Sequence, residues 1–271
     1  MSKFSPLARR ILLIVGSVLC LLCFDLVGCD KIKSPNFSRR SNPRPARPKG
    51  GHLPRLAIII DDVASDPATV DEIFALSYPL TLSILPNHLR STQIAEEAHG
   101  RGYQLMLHLP MESQANEAPE VRELRSGMNT TEVAETLDEM LRSVPYARGV
   151  NNHQGSRATS DAYLMAELMP LLRARDLFFV DSRTTTATVA YEIAQRDGVR
   201  SAFRNVPFLD DIQQESAIRR QLELAIRGAQ EKGEAIVIGH PHPETLRVLR
   251  EVLPHVQSQG VQLVYVTSLV R

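Results

Sequence analysis

Eight short, mostly apolar runs, each followed by polar residues and separated from the next by a helix-like pattern, constrain this fold more than any other feature. In order they read "LAIIIDD", "LTLSILPN", "YQLMLHLPME", "GVNNHQGS", "LFFVDSRT", "FRNVPFLDD", "EAIVIGHP" and "VQLVYVTSLV". Continuous apolar runs are the pattern of strands buried on both faces, and such strands belong to parallel sheets covered by helices. Between them, helix starts and stops are visible. Asp66-Pro67 caps the first helix, Ser91 opens "STQIAEEAHGRG" with Gly100 or Gly102 ending it, and Asn129 or Thr130 opens "TTEVAETLDEML". With no linker-like break and no internal repeat, residues 53–271 predict one α/β domain, a (β/α) barrel or barrel-like closed sheet.

The chain ahead of that domain reads differently. Lys3, Arg9 and Arg10 precede an apolar run from Ile11 to Phe24, which has the form of a secretory signal. The run is shorter than the roughly 20 residues a spanning helix needs, which disfavours an uncleaved anchor. Its ending, Leu26-Val27-Gly28-Cys29, resembles a bacterial lipobox, so residues 1–28 read as a lipoprotein-type signal peptide with lipidation at Cys29. That resemblance implies that Asp30 retains the protein at the periplasmic face of the inner membrane of a Gram-negative bacterium, lipid-anchored. Residues 29–52 form a Pro/Arg-rich basic linker, with 7 basic residues from Lys31 to Lys49, whereas Leu53 to Arg271 carries 21 basic against 29 acidic residues. Such a tether can lie on anionic headgroups or serve as a solvated spacer. Nothing in the domain resembles a nucleic-acid surface. Cys20 and Cys23 lie inside the signal, so the domain has no thiol, and disulfides, thiolate metal sites and cysteine nucleophiles are excluded.

The residues that follow the apolar runs carry the chemistry. Asp61 with Asp62, His108 with Glu112, His153, Asp181 with Arg183, Asp210 with Asp211, and His240 each stand at the C-terminal end of a run. In a parallel barrel these ends open onto one face, where active sites are built. Any one of them has a plain structural reading, since an Asp after a strand is often a helix N-cap. Six strand ends carrying ligand or acid-base types together predict a site. His52, His88, His99 and His255 lie on the linker, loops or helix surfaces and are assigned no chemistry.

These blocks, with "IIIDD", "AEEAHGRGYQLMLHLPME", "GVNNHQGS", "FFVDSRTT", "FLDD" and "AIVIGHPHPETL" the most telling, resemble the divergent polysaccharide deacetylase family, a distant branch of the metal-dependent carbohydrate esterases. The resemblance covers essentially all of Leu53 to Arg271. It implies a seven-stranded, partly open parallel (β/α) barrel and removal of acetyl groups from a glycan, peptidoglycan or an exported polysaccharide. It further implies that Asp62 binds a divalent metal, with zinc expected, that Asp61 is the general base, and that His240 protonates the leaving group. Two adjacent carboxylates in a low-dielectric pocket need a cation or a shared proton, which agrees with those roles.

The chain also departs from the ordinary family. A metal-binding His-x-x-x-His becomes His108-x-x-x-Glu112, and His153 stands near the place of an arginine that braces the base. The metal set is therefore expected to be Asp62, His108 and His153, with Glu112 as the alternative third ligand; either set suits zinc. Arg183 is expected to brace Asp61 or bind substrate, and Asp181 and Asp210 to orient histidines. The family's tryptophan motif is absent, since the chain has no Trp. Two function classes follow: a metal-dependent hydrolase, favoured by the Asp pair and His240, and a non-catalytic binding or regulatory module in envelope maintenance, favoured by the altered metal set and missing Trp.

Overall fold

A computed structural model describes residues 53–64, 66–115 and 120–271, so the signal peptide, the lipidation site and the linker lie outside the described residues. Strand β1 (Arg55–Val63) leads into helix α1 (Pro67–Phe74), β2 (Thr81–Ile84) into α2 (Ser91–Gly100), and β3 (Gln104–Met111) into α3 (Thr130–Ser143). The alternation continues with β4 (Gly149–Gln154), α4 (Ala162–Ala174), β5 (Phe178–Asp181), α5 (Ala190–Arg196), β6 (Ser201–Phe203), α6 (Glu215–Lys232), β7 (Glu234–Gly239), α7 (Pro243–Val256) and β8 (Gln262–Leu263). Local signals set several helix starts. The Asp66 side chain accepts from Thr69 N–H with Pro67 in the first turn, and Asn129, rather than Thr130, forms a capping box with Glu132.

Every strand pairing is parallel, in the order β6-β5-β4-β3-β2-β1-β7, with β8 against the start of β1. Seven strands curl into a half-barrel that is open between β6 and β7, as expected. The run "FRNVPFLDD" is not one strand. Strand β6 stops at Phe203, and Asn205–Leu209 lies along β7 instead, with Asn205 N–H on Ile236 O (3.2 Å) and Leu209 N–H on Ile238 O (2.9 Å). The last run, "VQLVYVTSLV", is also mostly not strand. After β8 it crosses the N-terminal ends of the strands, where Val266 N–H donates to Thr81 Oγ1 (3.1 Å), and Arg271 and Ser201 exchange backbone hydrogen bonds. This segment closes the barrel floor and leaves the opposite end open.

The side-chain period of two splits the core. Leu56, Ile58 and Ile60 of β1 join Leu105 and Leu107 of β3 in a large cluster under the helices. Ala57 and Ile59 join Met106, Phe178, Val180, Ile236 and Ile238 inside the barrel. Burying each large aliphatic side chain contributes about 1.5–3 kcal/mol. Gly149 makes the interior fit, because a Cβ there would lie 2.3 Å from the Phe178 ring. Inward positions further along the same strands reach the open mouth, and those positions carry the polar residues.

Candidate metal and acid-base site

Asp61 continues the inward series Ala57, Ile59 of β1 and is only 1% exposed. Alternation would send the next residue outward. Asp62 instead takes a left-handed φ of 53°, and the β1–β2 register slips between Ile60 and Val63, so both carboxylates serve the same mouth. The inward positions of β3 and β4 supply the partners. His108 follows Met106, and Asn151 and His153 follow Gly149, each two residues on.

Asp62 Oδ1 lies 3.0 Å from His108 Nε2 and 3.0 Å from His153 Nδ1, and the two nitrogens are 3.2 Å apart. Although Asp62 Oδ1 is buried and touches both imidazoles, it has no well-aligned hydrogen-bond donor. Three ligand atoms so close together, His153 Nδ1 and His108 Nε2 hydrogen-bonded to each other and Asp62 Oδ1 without a donor, could all turn to one cation in place of that hydrogen bond. One carboxylate with two imidazoles is a donor set that zinc and neighbouring first-row divalent ions accept. The residues present therefore fit a divalent metal.

The surrounding network fixes which atoms face this point. Asn151 Nδ2 donates to both oxygens of Asp61 (2.9 and 3.0 Å) and to Ser182 Oγ (3.1 Å). This orients the Asn151 carbonyl toward His108, whose Nδ1–H donates to it at 3.0 Å, while the Ser83 hydroxyl donates to the same oxygen. The His108 proton is thereby held on Nδ1 and its Nε2 lone pair is left for the triangle. On the other side, Asp210 accepts from His240 N–H (2.6 Å), His240 Nδ1–H (2.9 Å) and Thr245 Oγ1–H (2.8 Å). His240 Nε2 consequently faces Asp62 Oδ2, at 3.9 Å. Asp210, His240 and His242 also cluster. With three donors already on Asp210 and His242 Nε2 3.0 Å from Gln213 Nε2, this second group orients His240 rather than forming an open cation site.

The electrostatics separate the titrating groups. Burial raises the Asp61 pKa, against the lowering charges of His108 and His240. Burial would raise Asp62 too, but His108 and His153 hold it well below the usual carboxylate range. For His240, burial favours the neutral ring, yet the hydrogen bond to Asp210 and the charges of Asp61, Asp210 and Asp62 push its pKa up to about 9. His108 is likewise raised, burial being outweighed by Asp61, Asp62 and Asn151.

Asp61, Asp62, His108, His153 and His240 thus converge, and Asp210 orients a histidine as expected. The geometry favours His153 over the alternative Glu112, and two other expectations are corrected. Glu112 is turned away, accepting from Ser126 N–H (2.9 Å) and facing Arg157 (3.5 Å), so His153 rather than Glu112 completes the triangle. Asp181 orients no histidine: alternation points it outward from β5, where it accepts from Arg183 N–H and Thr188 Oγ1–H, both at 2.8 Å. Arg183 stacks 3.5 Å over Phe203, and the group that braces Asp61 is Asn151. Asn151 was readable in principle, because it precedes His153 by two and shares its strand face. Ser83 and Ser182 carry no such local signal.

The model of the divergent polysaccharide deacetylase family matches residues 58–270. The uncharacterised protein YibQ of Escherichia coli K12 is 38% identical over 199 residues, covering 73% of this chain and 62% of its own length, so the chain spans about three fifths of that relative. Among solved structures, the uncharacterised protein ATU2773 from Agrobacterium tumefaciens C58 is similar with a TM-score of 0.75 at 22% identity, over 83% of this chain and 92% of that one. A cobalt-bound family 4 acetyl xylan esterase from Clostridium thermocellum matches at TM-score 0.50 and 14% identity, covering 79% of this chain and 89% of that one. BA3943 from Bacillus anthracis, a CE4 family pseudoenzyme, matches at TM-score 0.52 and 11% identity, over 80% of this chain and 66% of its own. These structures share the curled barrel, and the sequence match extends from within β1 to the penultimate residue. The chain belongs to the divergent polysaccharide deacetylase family.

Proposed function

We propose that the protein is a divalent-metal-dependent hydrolase that removes acetyl groups from a carbohydrate of the bacterial cell envelope. The observation that carries this reading is the triangle of Asp62, His108 and His153, with buried Asp61 at one side and proton-bearing His240 at the other. Asp62, His108 and His153 would hold the ion, zinc in this reading, which when bound polarises an acetyl carbonyl and acidifies water.

The chain's own groups move the protons. Asp61, braced by Asn151 and shielded from solvent, accepts a proton from the attacking water, and its raised pKa makes it a stronger base than an exposed aspartate. His240, with a pKa of about 9, keeps its proton at neutral pH and gives it from Nε2 to the departing amine or alkoxide. Asp210 holds the ring in the tautomer and orientation this requires. Phe208, its ring 5.5 Å from that of His240, offers an apolar surface for a sugar face where the family's tryptophan is missing. Arg183 is left to bind substrate. Lipidation at Cys29 would hold the domain at the periplasmic face of the inner membrane, within reach of peptidoglycan or an exported polysaccharide.

A second reading, a catalytically silent binding module, draws support from Glu112 standing where the ordinary family has a second imidazole, and from the likeness to a pseudoenzyme fold. Acetate release from N-acetylated glycan oligomers, with added zinc or cobalt, separates the two. Under the hydrolase reading, Asp61→Asn and His240→Ala keep metal and fold but lose turnover by about 100-fold or more. If metal-loaded wild type releases no acetate from any acetylated glycan, the binding module takes the hydrolase's place.

A further inference from the structure

His153 has one ring nitrogen that the triangle does not use. Its Nδ1 faces Asp62 Oδ1 and His108 Nε2, so Nε2 points the other way. A neutral imidazole that gives Nδ1 to a cation carries its proton on Nε2, and that N–H needs an acceptor to fix the ring. The carboxylate facing it is Glu120, with Oε1 at 3.9 Å from His153 Nε2. The other oxygen, Oε2, lies 3.7 Å from His88 Nε2. One carboxylate thus stands between two imidazoles, an oxygen toward each. Either separation closes to a hydrogen bond through about 1 Å of side-chain movement or one bridging water.

The charge on Glu120 is otherwise uncommitted. Among the described residues no Lys or Arg pairs with it, and the adjacent cation, Arg122, is bound to Glu139 at 3.0 Å. Glu120 also lies in the wall of a cleft of about 380 Å³, beside His88, Leu89, Pro110 and Val121, rather than in the core. Its replacement therefore leaves packing intact.

We propose that Glu120 is a positioning residue for the metal ligand His153, accepting its Nε2–H, and that His88 holds Glu120 in place. This rests on the metal reading of Asp62, His108 and His153. The carboxylate fixes the ring's tautomer and orientation and raises its basicity as a ligand, contributions whose loss commonly weakens metal affinity 10–100-fold.

The test is zinc affinity of the full chain by chelator competition, in wild type, Glu120→Ala, Glu120→Gln and His88→Ala. Glu120→Ala should bind zinc about 10–100-fold more weakly, with the Gln variant, which keeps an acceptor oxygen, in between and His88→Ala less affected. In the cobalt-substituted protein, the paramagnetically shifted His153 ring N–H should exchange slowly with solvent in wild type and rapidly in Glu120→Ala. Metal-free thermal unfolding should be unchanged by the substitution. Affinity within twofold of wild type in Glu120→Ala, or a matching loss of metal-free stability, overturns the positioning role. Wild type that takes up no zinc overturns the metal reading itself, and this inference with it; normal wild-type uptake with an unaffected variant overturns only the role of Glu120.

Discussion

Asp210→Asn isolates the forces that keep His240 protonated. The difference between a pKa of about 9 and the ordinary value near 6.5 corresponds to about 3 kcal/mol in favour of the folded imidazolium. Burial works against this, and the hydrogen bond to Asp210 is the largest favourable contribution, followed by the charges of Asp61, Asp210 and Asp62. In the variant the burial remains, the Asp210 charge vanishes, and the hydrogen bond to the ring weakens to that of a neutral amide oxygen. The His240 pKa should then fall from about 9 toward its ordinary value. Because the folded pKa is raised, the stabilisation is fully present below about pH 6.5 and is lost as pH rises through about 9. Metal-free wild type should therefore lose up to about 3 kcal/mol more than the variant between pH 6.5 and 10, less whatever solvent screens from a side chain 26% exposed. The ring C2–H resonance of His240, followed through a pH titration, reads the pKa directly, and urea unfolding at pH 6.5, 8 and 10 reads the linkage. A His240 pKa unchanged at about 9 in Asp210→Asn would refute the reasoning, since Asp61 and Asp62 would then sustain the charge without Asp210.

Other outcomes follow from the same geometry. Equilibrium dialysis should show metal binding abolished in His108→Ala, strongly weakened in His153→Ala and nearly unchanged in Glu112→Ala; the reverse order for the last two would move the third ligand to Glu112. Gly149→Ala drives a methyl into the Phe178 ring at 2.3–2.5 Å, so it should cost about 1–3 kcal/mol or more by urea unfolding. Phe178→Leu in the same chain should recover part of that loss, and a Gly149→Ala protein as stable as wild type would contradict the packing. Cys29→Ser should leave the protein out of membrane fractions if the N-terminal segment is a lipoprotein signal; continued sedimentation with membranes would make that segment an uncleaved helix.

The elements and their class are written in local stretches of the chain. Apolar runs such as Leu56–Ile60 are long enough and apolar enough to demand burial on both faces, and caps such as Asp66-Pro67 and Asn129 with Glu132 act within one helical turn. Those signals are local, so they survive without knowledge of neighbours. The chemistry at strand ends was legible for the same reason, because a parallel fold brings all C-terminal ends to one mouth. What a one-dimensional pattern does not contain is the phase of each side chain at that mouth and the identity of its cross-strand neighbour. Asp181 and Asp210 both follow apolar runs, yet the first caps a turn outside the barrel and the second orients His240. Asp61 and Asp62 share a site only because a left-handed residue and a register slip cancel the strand's alternation. Asn151 braces Asp61 from 90 residues away, a contact set by the pairing of β4 into the curled sheet rather than by any spacing along the chain.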